Sequence, residues 1–228
     1  MFHPEKTGTL DLGSFYAPKT QLDKSGHRIL WGWIQETRPL DEYKAAGWAG
    51  MMSLPRVLTL AADGQLRIDF AAEANRLRKG QQRLVITPSE EQNQRQIGAL
   101  HIEQCCGEVL CSVRMPANPF ELSLCDSAAV GTPWLTLKFD PLNPGQVWID
   151  SKQISVLPDE KGSLELHLYI DGSVIEVFLG KRVAYTKRFY YPGNHAPDAS
   201  LKWLGMTTGI ESLSVWQLSR ISSDRLTS

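Results

Sequence analysis

Two tryptophans two residues apart, Trp31 and Trp33, stand in the run Arg28-Ile-Leu-Trp-Gly-Trp-Ile34. On a strand they share a face, because side chains alternate. An indole offers a flat apolar surface to the C–H groups of a sugar and an N–H donor to a hydroxyl. The competing reading is a pair of core aromatics between two sheets. Upstream, Phe15-Tyr16 adds a phenol that either donates to a hydroxyl or simply packs. Asp11 either orients its loop or serves a turn or the surface. Other carboxylates are less persuasive. Glu36 follows the tryptophans and reads as a loop carboxylate. Asp171 and Glu176 are five apart, so a continuous strand turns them to opposite sides, and Asp171-Gly172 is turn chemistry. Cys105, Cys106, Cys111 and Cys125 form no CxxC pair and read as free thiols, with a disulfide as the alternative. His101-Ile102-Glu103 with Cys105 and Cys106 lacks the Pro-Cys-x-x-Cys half of a zinc-water site. No metal and no cofactor is expected.

These residues need elements to hold them, and the strand signals are strong. Met52-Ser-Leu-Pro-Arg-Val-Leu-Thr-Leu60 runs to Asp63-Gly64, a hairpin signal, and Gln65 to Phe70 returns. Phe70 to Arg78 is the best helix candidate, stopped by Gly80. Beyond it strands are predicted at Gln82–Thr87, Gln96–Cys106 and Glu108–Met115. A break at Pro116 to Pro119 follows, then strands at Glu121–Cys125, Trp134–Phe139 and Gln146–Asp150. Leu164, Leu166, Leu168 and Ile170 share one face of a strand that Asp171-Gly172 turns into Ser173–Leu179. Gly180-Lys181 turns the chain again into Val183–Tyr190, and Leu213–Leu218 closes it. Short strands at this spacing, without alternating long helices, predict a β-sandwich over about 80–222. Trp134, Trp148, Trp203 and Trp216 are expected in its core or at its contact with the first segment; exposed together they would make a sugar platform.

Composition narrows the function classes. Hydrophobic residues make up 42% and charged residues 21%, with 24 Lys+Arg against 25 Asp+Glu. That balance argues against an electrostatic nucleic-acid binder. No apolar run approaches the roughly 18–20 residues of a membrane span. Met1 to Lys6 shows no basic region followed by an apolar one, so the expected location is cytoplasmic.

Several segments carry a family resemblance. Asp11-Leu-Gly-Ser-Phe-Tyr-Ala-Pro-Lys-Thr20, Arg28 to Glu36, Gly47-Trp-Ala-Gly50 and Met52-Ser-Leu-Pro-Arg56 occur in order. Together they resemble the last blade of glycoside hydrolase family 32, the invertases, inulinases, levanases and fructan exohydrolases. Leu168-Tyr-Ile-Asp-Gly-Ser-Val-Ile-Glu-Val-Phe178, with Arg188 and Tyr191-Pro192, resembles that family's C-terminal β-sandwich. The resemblance implies an all-β chain. Residues 1–79 would be the last-blade fragment of a five-bladed β-propeller, with closing strands and a short helix, and 80–228 the sandwich. It also implies retaining hydrolysis of β-fructosidic bonds by two carboxylates about 5–5.5 Å apart, and it places Trp33 in the fructose pocket with the Tyr16 segment passing near.

The chain departs from the family where the chemistry lies. The nucleophile's Asn-Asp-Pro is missing. The only Asp-Pro, Asp140-Pro141, follows Phe139 rather than Arg, and Glu103-Gln104-Cys105 is an interrupted Glu-Cys. The expectation is therefore a C-terminal part of a β-fructofuranosidase-type hydrolase, without catalytic residues and inactive alone. Its substrate-side residues would be Trp33, Tyr16, Trp31 and Asp11. Its partners would be a fructose-containing oligosaccharide and either a propeller fragment or a second copy, with no nucleic acid and no membrane. The alternative is a non-catalytic fructan- or protein-binding sandwich module. A segment 10–60 without neighbouring blades should be loose, dock on the sandwich, or self-associate.

Overall fold

The computed structural model describes residues 7–115, 118–128, 131–192, 196–219 and 221. The expectations at Met1 to Lys6, at Pro116 and at residue 222 lie outside the described residues.

Among them the chain forms three sheets. The first is built from β1 (Phe15–Leu22), β2 (Arg28–Ile34), β3 (Met51–Met52), β4 (Arg56–Leu60) and β5 (Leu66–Phe70). Its order is β1-β2-β4-β5, with β3 beside β2. A short helix, α1 (Leu40–Ala46), leaves between β2 and β3. A 3-10 turn at Ala72–Leu77 leads to β6 (Arg78–Arg83), α2 (Glu90–Ala99) and β7 (His101–Ile102). Then come β8 (Cys106–Arg114), β9 (Phe120–Asp126), β10 (Leu135–Phe139), β11 (Gln146–Ile149) and β12 (Lys152–Ser155). The last five strands are β13 (Ser163–Asp171), β14 (Val174–Leu179), β15 (Val183–Arg188), β16 (Ala199–Gly205) and β17 (Ile210–Leu218). The two sandwich sheets run β12-β11-β10-β9-β16-β7 and β15-β14-β13-β8-β17-β6.

The sandwich follows from alternation. Leu164, Leu166, Leu168 and Ile170 of β13 face Val109, Cys111 and Val113 of β8 and the inner residues of the opposite sheet, and all are buried. Trp203 stacks on Phe120 at 4.6 Å within that core. The turn from β14 to β15 has positive φ at both Gly180 and Lys181, the geometry whose twist matches a hairpin. All four thiols are free. Burial pushes those of Cys105 and Cys111 up to about 12, so they are inert at neutral pH.

Three local expectations are corrected. The helix expected over Phe70 to Arg78 is a 3-10 turn over Ala72–Leu77. Arg78 is already in β6, where it pairs with Leu218, and Gly80 lies within the strand. The strand expected at Gln82–Thr87 ends at Arg83, and Val85 and Ile86 are exposed. Most of the strand expected at Gln96–Cys106 is helix or 3-10 turn: α2 is capped by Ser89, whose side chain accepts the Gln92 N–H, and Ile97 is its buried anchor.

The first sheet docks on the outer face of the β15–β6 sheet. Leu30, Ile68 and Phe70 pack on Tyr169, Phe178 and Ala184, each buried side chain being worth about 1.5–3 kcal/mol. One rung of that outer face is polar. Trp216, Glu108, Tyr169, Glu176 and Thr186 are successive cross-strand partners from β17 to β15. Arg78 falls on Glu108, Phe70 on Tyr169, and Arg56 on Glu176. Ahead of β1, Leu12 and Ser14 donate backbone N–H groups to Ala184 and Thr186. Of the three outcomes expected for segment 10–60, docking on the sandwich is the one the molecule shows. The boundary expected after residue 79 falls inside β6, a strand of the sandwich.

Candidate functional site: an aromatic row on the first sheet

The first sheet's other face is open among the described residues, and three of its side chains line up across three strands. Tyr16 of β1 is the register partner of Trp33 of β2, and Trp33 is the partner of Met52 of β3. All three are exposed, Tyr16 by 56% and Trp33 by 42%. The two rings meet edge to face, centroids 6.2 Å apart. Trp33 alone of the seven tryptophans is exposed.

Local backbone aims these rings. The β1–β2 register slips between Tyr16 and Lys19, and Ala17 has φ +47. A bulge of this kind re-aims a neighbouring side chain. Behind the row, Gly32 leaves room for Phe15: a Cβ there would fall 2.2 Å from that ring. On the far side Gly50, at φ +68, lies so close that a Cβ would sit 2.3 Å from Trp33 Nε1. Gly50→Ala is thus expected to displace the indole and to cost about 1–2 kcal/mol through its left-handed backbone. A red-shifted, more quenchable tryptophan emission together with a lower Tm would be the signature; an unchanged spectrum would contradict it.

The four residues singled out from the sequence divide three to one. Trp31 is on the row's face, half-buried, opposite Lys19. Asp11 is on the sandwich side. Its Oδ1 accepts the N–H groups of Gly13 at 2.8 Å and Thr186 at 3.0 Å. Its Oδ2 accepts Arg56 Nη1 at 2.9 Å and Thr186 Oγ1 at 2.6 Å. These four bonds occupy the acceptor sites of the carboxylate.

The remaining carboxylates near the row are equally committed. Glu36 accepts Arg38 Nη2 at 2.7 Å, the Arg38 N–H at 2.8 Å and the Tyr190 hydroxyl. Burial alone would raise its pKa, but Arg38 and Tyr190 outweigh it and hold the carboxyl far below the usual range. Glu36 is an anion, not a general acid, at neutral pH. Glu176 is on Arg56 and the Leu54 N–H. Among the described residues no group of His, Cys, Asp and Glu is disposed to hold a metal. A cleft of about 590 Å³ near Asp63, Glu165 and Arg182 is lined by no aromatic side chain.

Sequence reasoning missed Met52, Gly50 and Arg56. Met52 joins the row only through pairing of the two-residue β3, which no periodicity reveals. Arg56 gave one signal, a lone arginine on the buried parity of an apolar strand.

Comparisons with known proteins bear on the family and the fold. A family model described as the glycosyl hydrolases family 32 N-terminal domain matches residues 1–69, and the family 32 C-terminal model matches 73–217. A fructan 1-exohydrolase of Hordeum vulgare is 45% identical over 65 residues, 28% of this chain and 11% of the relative. An insoluble β-fructofuranosidase isoenzyme of Arabidopsis thaliana is 37% identical over 79 residues, 34% of this chain and 13% of the relative. Among solved structures, fructan 1-exohydrolase IIa from Cichorium intybus superposes with TM-score 0.68 at 22% identity, covering 92% of this chain and 49% of that one. A Bombyx mori β-fructofuranosidase superposes with TM-score 0.66 at 24% identity, covering 93% and 42%. The fold is thus that of a propeller's last blade and its sandwich. The chain spans about half the length of these structures. Related structures hold 1-kestose in the Cichorium protein and sucrose in the Bombyx one.

Proposed function

The chain belongs to glycoside hydrolase family 32, and from that premise we propose that it is the closing blade and β-sandwich of a β-fructofuranosidase-type hydrolase. In this reading it supplies an aromatic wall for a fructosyl unit, and the catalytic carboxylates come from propeller blades outside these residues. The observation that carries it is the exposed Tyr16–Trp33 pair on the sheet's open face. The indole stacks on sugar C–H groups, and the indole N–H and phenol O–H reach hydroxyls. Trp31 continues the wall. Asp11 acts at a remove, through Arg56.

Retaining hydrolysis requires one carboxylate to attack the anomeric carbon and a second to protonate the leaving oxygen. Near the row, Asp11, Glu36 and Glu176 are all consumed by internal hydrogen bonds. The chain alone therefore does not hydrolyse fructosides. Neighbouring blades complete the pocket around this row, and the ligand is a fructose-containing oligosaccharide.

The test is fructose release from sucrose, inulin and levan by the purified chain, alone and mixed with a family 32 propeller fragment ending just before the equivalent of Asp11. No release alone and release in the mixture are expected. Trp33→Ala should cut the mixture's activity about tenfold or more, an aromatic contact being worth roughly 1.5–3 kcal/mol. Release by the chain alone would refute the assignment of roles. Fructan binding by the chain with no rescue would replace the reading with that of a binding module.

A further inference from the structure

We infer that Arg56, clamped by Glu176 and Asp11, is a positioning residue for the Tyr16–Trp33–Met52 row, so that the sandwich sets the geometry of the sugar wall. The inference rests on the reading of that row as a sugar wall.

Arg56 is fully buried and spends its guanidinium on three partners. Nε and Nη2 donate to Glu176 Oε2 at 3.1 and 2.5 Å. Nη1 donates to Asp11 Oδ2 at 2.9 Å, and Nη2 also to Thr186 Oγ1 at 2.7 Å. Such a planar fork fixes orientation as well as charge, and a lysine ammonium does not reproduce it.

From this clamp two routes reach the row. The first goes through Phe15. The guanidinium lies 4.2 Å from the Phe15 ring centroid, and Gly32 lies against the same ring. Phe15 is wedged between the clamp and the strand that carries Trp33, and the next residue is Tyr16. The second goes through Glu176, whose Oε1 accepts the Leu54 N–H at 2.7 Å. Beside it, Ser53 exchanges hydrogen bonds with Gly32: its N–H donates to the Gly32 carbonyl, and its Oγ accepts the Gly32 N–H at 3.1 Å. Met52 precedes Ser53, and Trp33 follows Gly32. The outer strands of the row are thereby held from behind by one buried cluster whose acids lie outside the first sheet.

A clamp that only adds stability would leave the row alone when weakened gently. Arg78 on Glu108 supplies the control: it lies on the same rung, is again a guanidinium on a buried carboxylate, and stacks on Trp216 rather than on a member of the row. The experiment compares the full chain with Arg56→Lys, Phe15→Leu and Arg78→Lys. It reads Tm, the Trp33 indole N–H resonance (assigned with Trp33→Phe) and acrylamide quenching, well below the melting transition. Arg56→Lys and Phe15→Leu are expected to move the Trp33 resonance and raise its quenching. Arg78→Lys should lower Tm without moving either. In the complemented mixture Arg56→Lys should raise KM about tenfold, ~1.4 kcal/mol of binding. A Trp33 signal unmoved by Arg56→Lys, or moved equally by Arg78→Lys, overturns the inference. If Arg56→Lys does not fold, Phe15→Leu decides, because it leaves the ion cluster intact. If the wild-type mixture is silent, the function reading fails while the Trp33 signals still decide the positioning.

Discussion

Arg56→Ala is expected to cost the chain about 3–5 kcal/mol of stability, because it strips the counter-charge from buried carboxylates. For a chain of this size that is on the order of 10 °C in Tm. Asp11 and Glu176 both face Arg56, at 2.9 and 2.5 Å, and neither has water to turn to. The loss should also depend on pH, with a sign fixed by Glu176. Burial pushes the Glu176 carboxyl above its ordinary value of 4.5; Arg56 opposes that rise and Asp11 adds to it. Without Arg56 the pKa climbs further. A carboxyl whose folded pKa is raised stabilises the fold while protonated, and that contribution is lost as pH rises through the folded pKa. Urea unfolding at pH 5 and pH 8 should therefore find Arg56→Ala more damaged at pH 8. Pairing Arg56→Met with Glu176→Leu should recover much of the loss, since an apolar pair of similar volume replaces a desolvated ion pair at little cost. A deficit equal at both pH values, or no recovery in the double variant, would show that Glu176 is not the group involved.

How far the sequence could reach is decided element by element. Strands with one wet edge or one polar face showed themselves: β13 alternates, and its Asp171-Gly172 turn stands where expected. The shared face of Trp31 and Trp33 follows from parity alone. In β14 all six residues are buried, with the sandwich core on one side and the docked sheet on the other. Alternation vanishes there, so Glu176 looked like an ordinary strand carboxylate. Helix α2 hid for the opposite reason. Its only apolar buried anchor is Ile97, too little to register a 3.6-residue period, although Ser89 and Gln92 carried a capping signal. The partners of Arg56 lie 45, 120 and 130 residues away. Arg56 stands on the buried parity of β4, a signal the sequence reading passed over, and only the docking of two sheets says on what it falls. For the aromatic row, Tyr16 and Trp33 were legible through family resemblance, and Met52 required strand pairing.

Glu108→Gln should show the opposite pH behaviour on the same rung. Glu108 is fully buried and takes Arg78 Nε on Oε2 at 2.6 Å, Arg78 Nη2 on Oε1, and His167 Nε2 on Oε1 at 2.6 Å. Burial alone would raise its pKa, but the hydrogen bonds of Arg78 and His167 prevail and hold it below 4.5. A depressed carboxyl contributes stability that is present above its unfolded pKa and is lost as pH falls through the folded one. Replacing it by glutamine should cost about 3 kcal/mol at pH 7, since two charge-assisted contacts go at once. The gap to wild type should close as pH falls through the depressed pKa of Glu108, where the parent carboxyl is itself taking up a proton. The two carboxylates differ although they stand two strands apart on one surface. Glu176 shares its arginine with a second acid, whereas Glu108 has two donors to itself and an arginine that is a quarter exposed to water. Of the two pairs, only that of Arg56 crosses from the first sheet to the sandwich; Arg78 and Glu108 belong to one sandwich sheet, on β6 and β8, and lie on the face that Phe70 covers. Acid should loosen the contact near Glu108 first, where Phe70 packs edge-on to His167 at 5.0 Å. Protection factors at Ile68 and Phe70, corrected for the intrinsic exchange rate, should accordingly fall on acidification before those in β13 do. A simultaneous fall in both would mean that the sheet and the sandwich unfold as one unit and that Glu108 guards the whole chain rather than the contact.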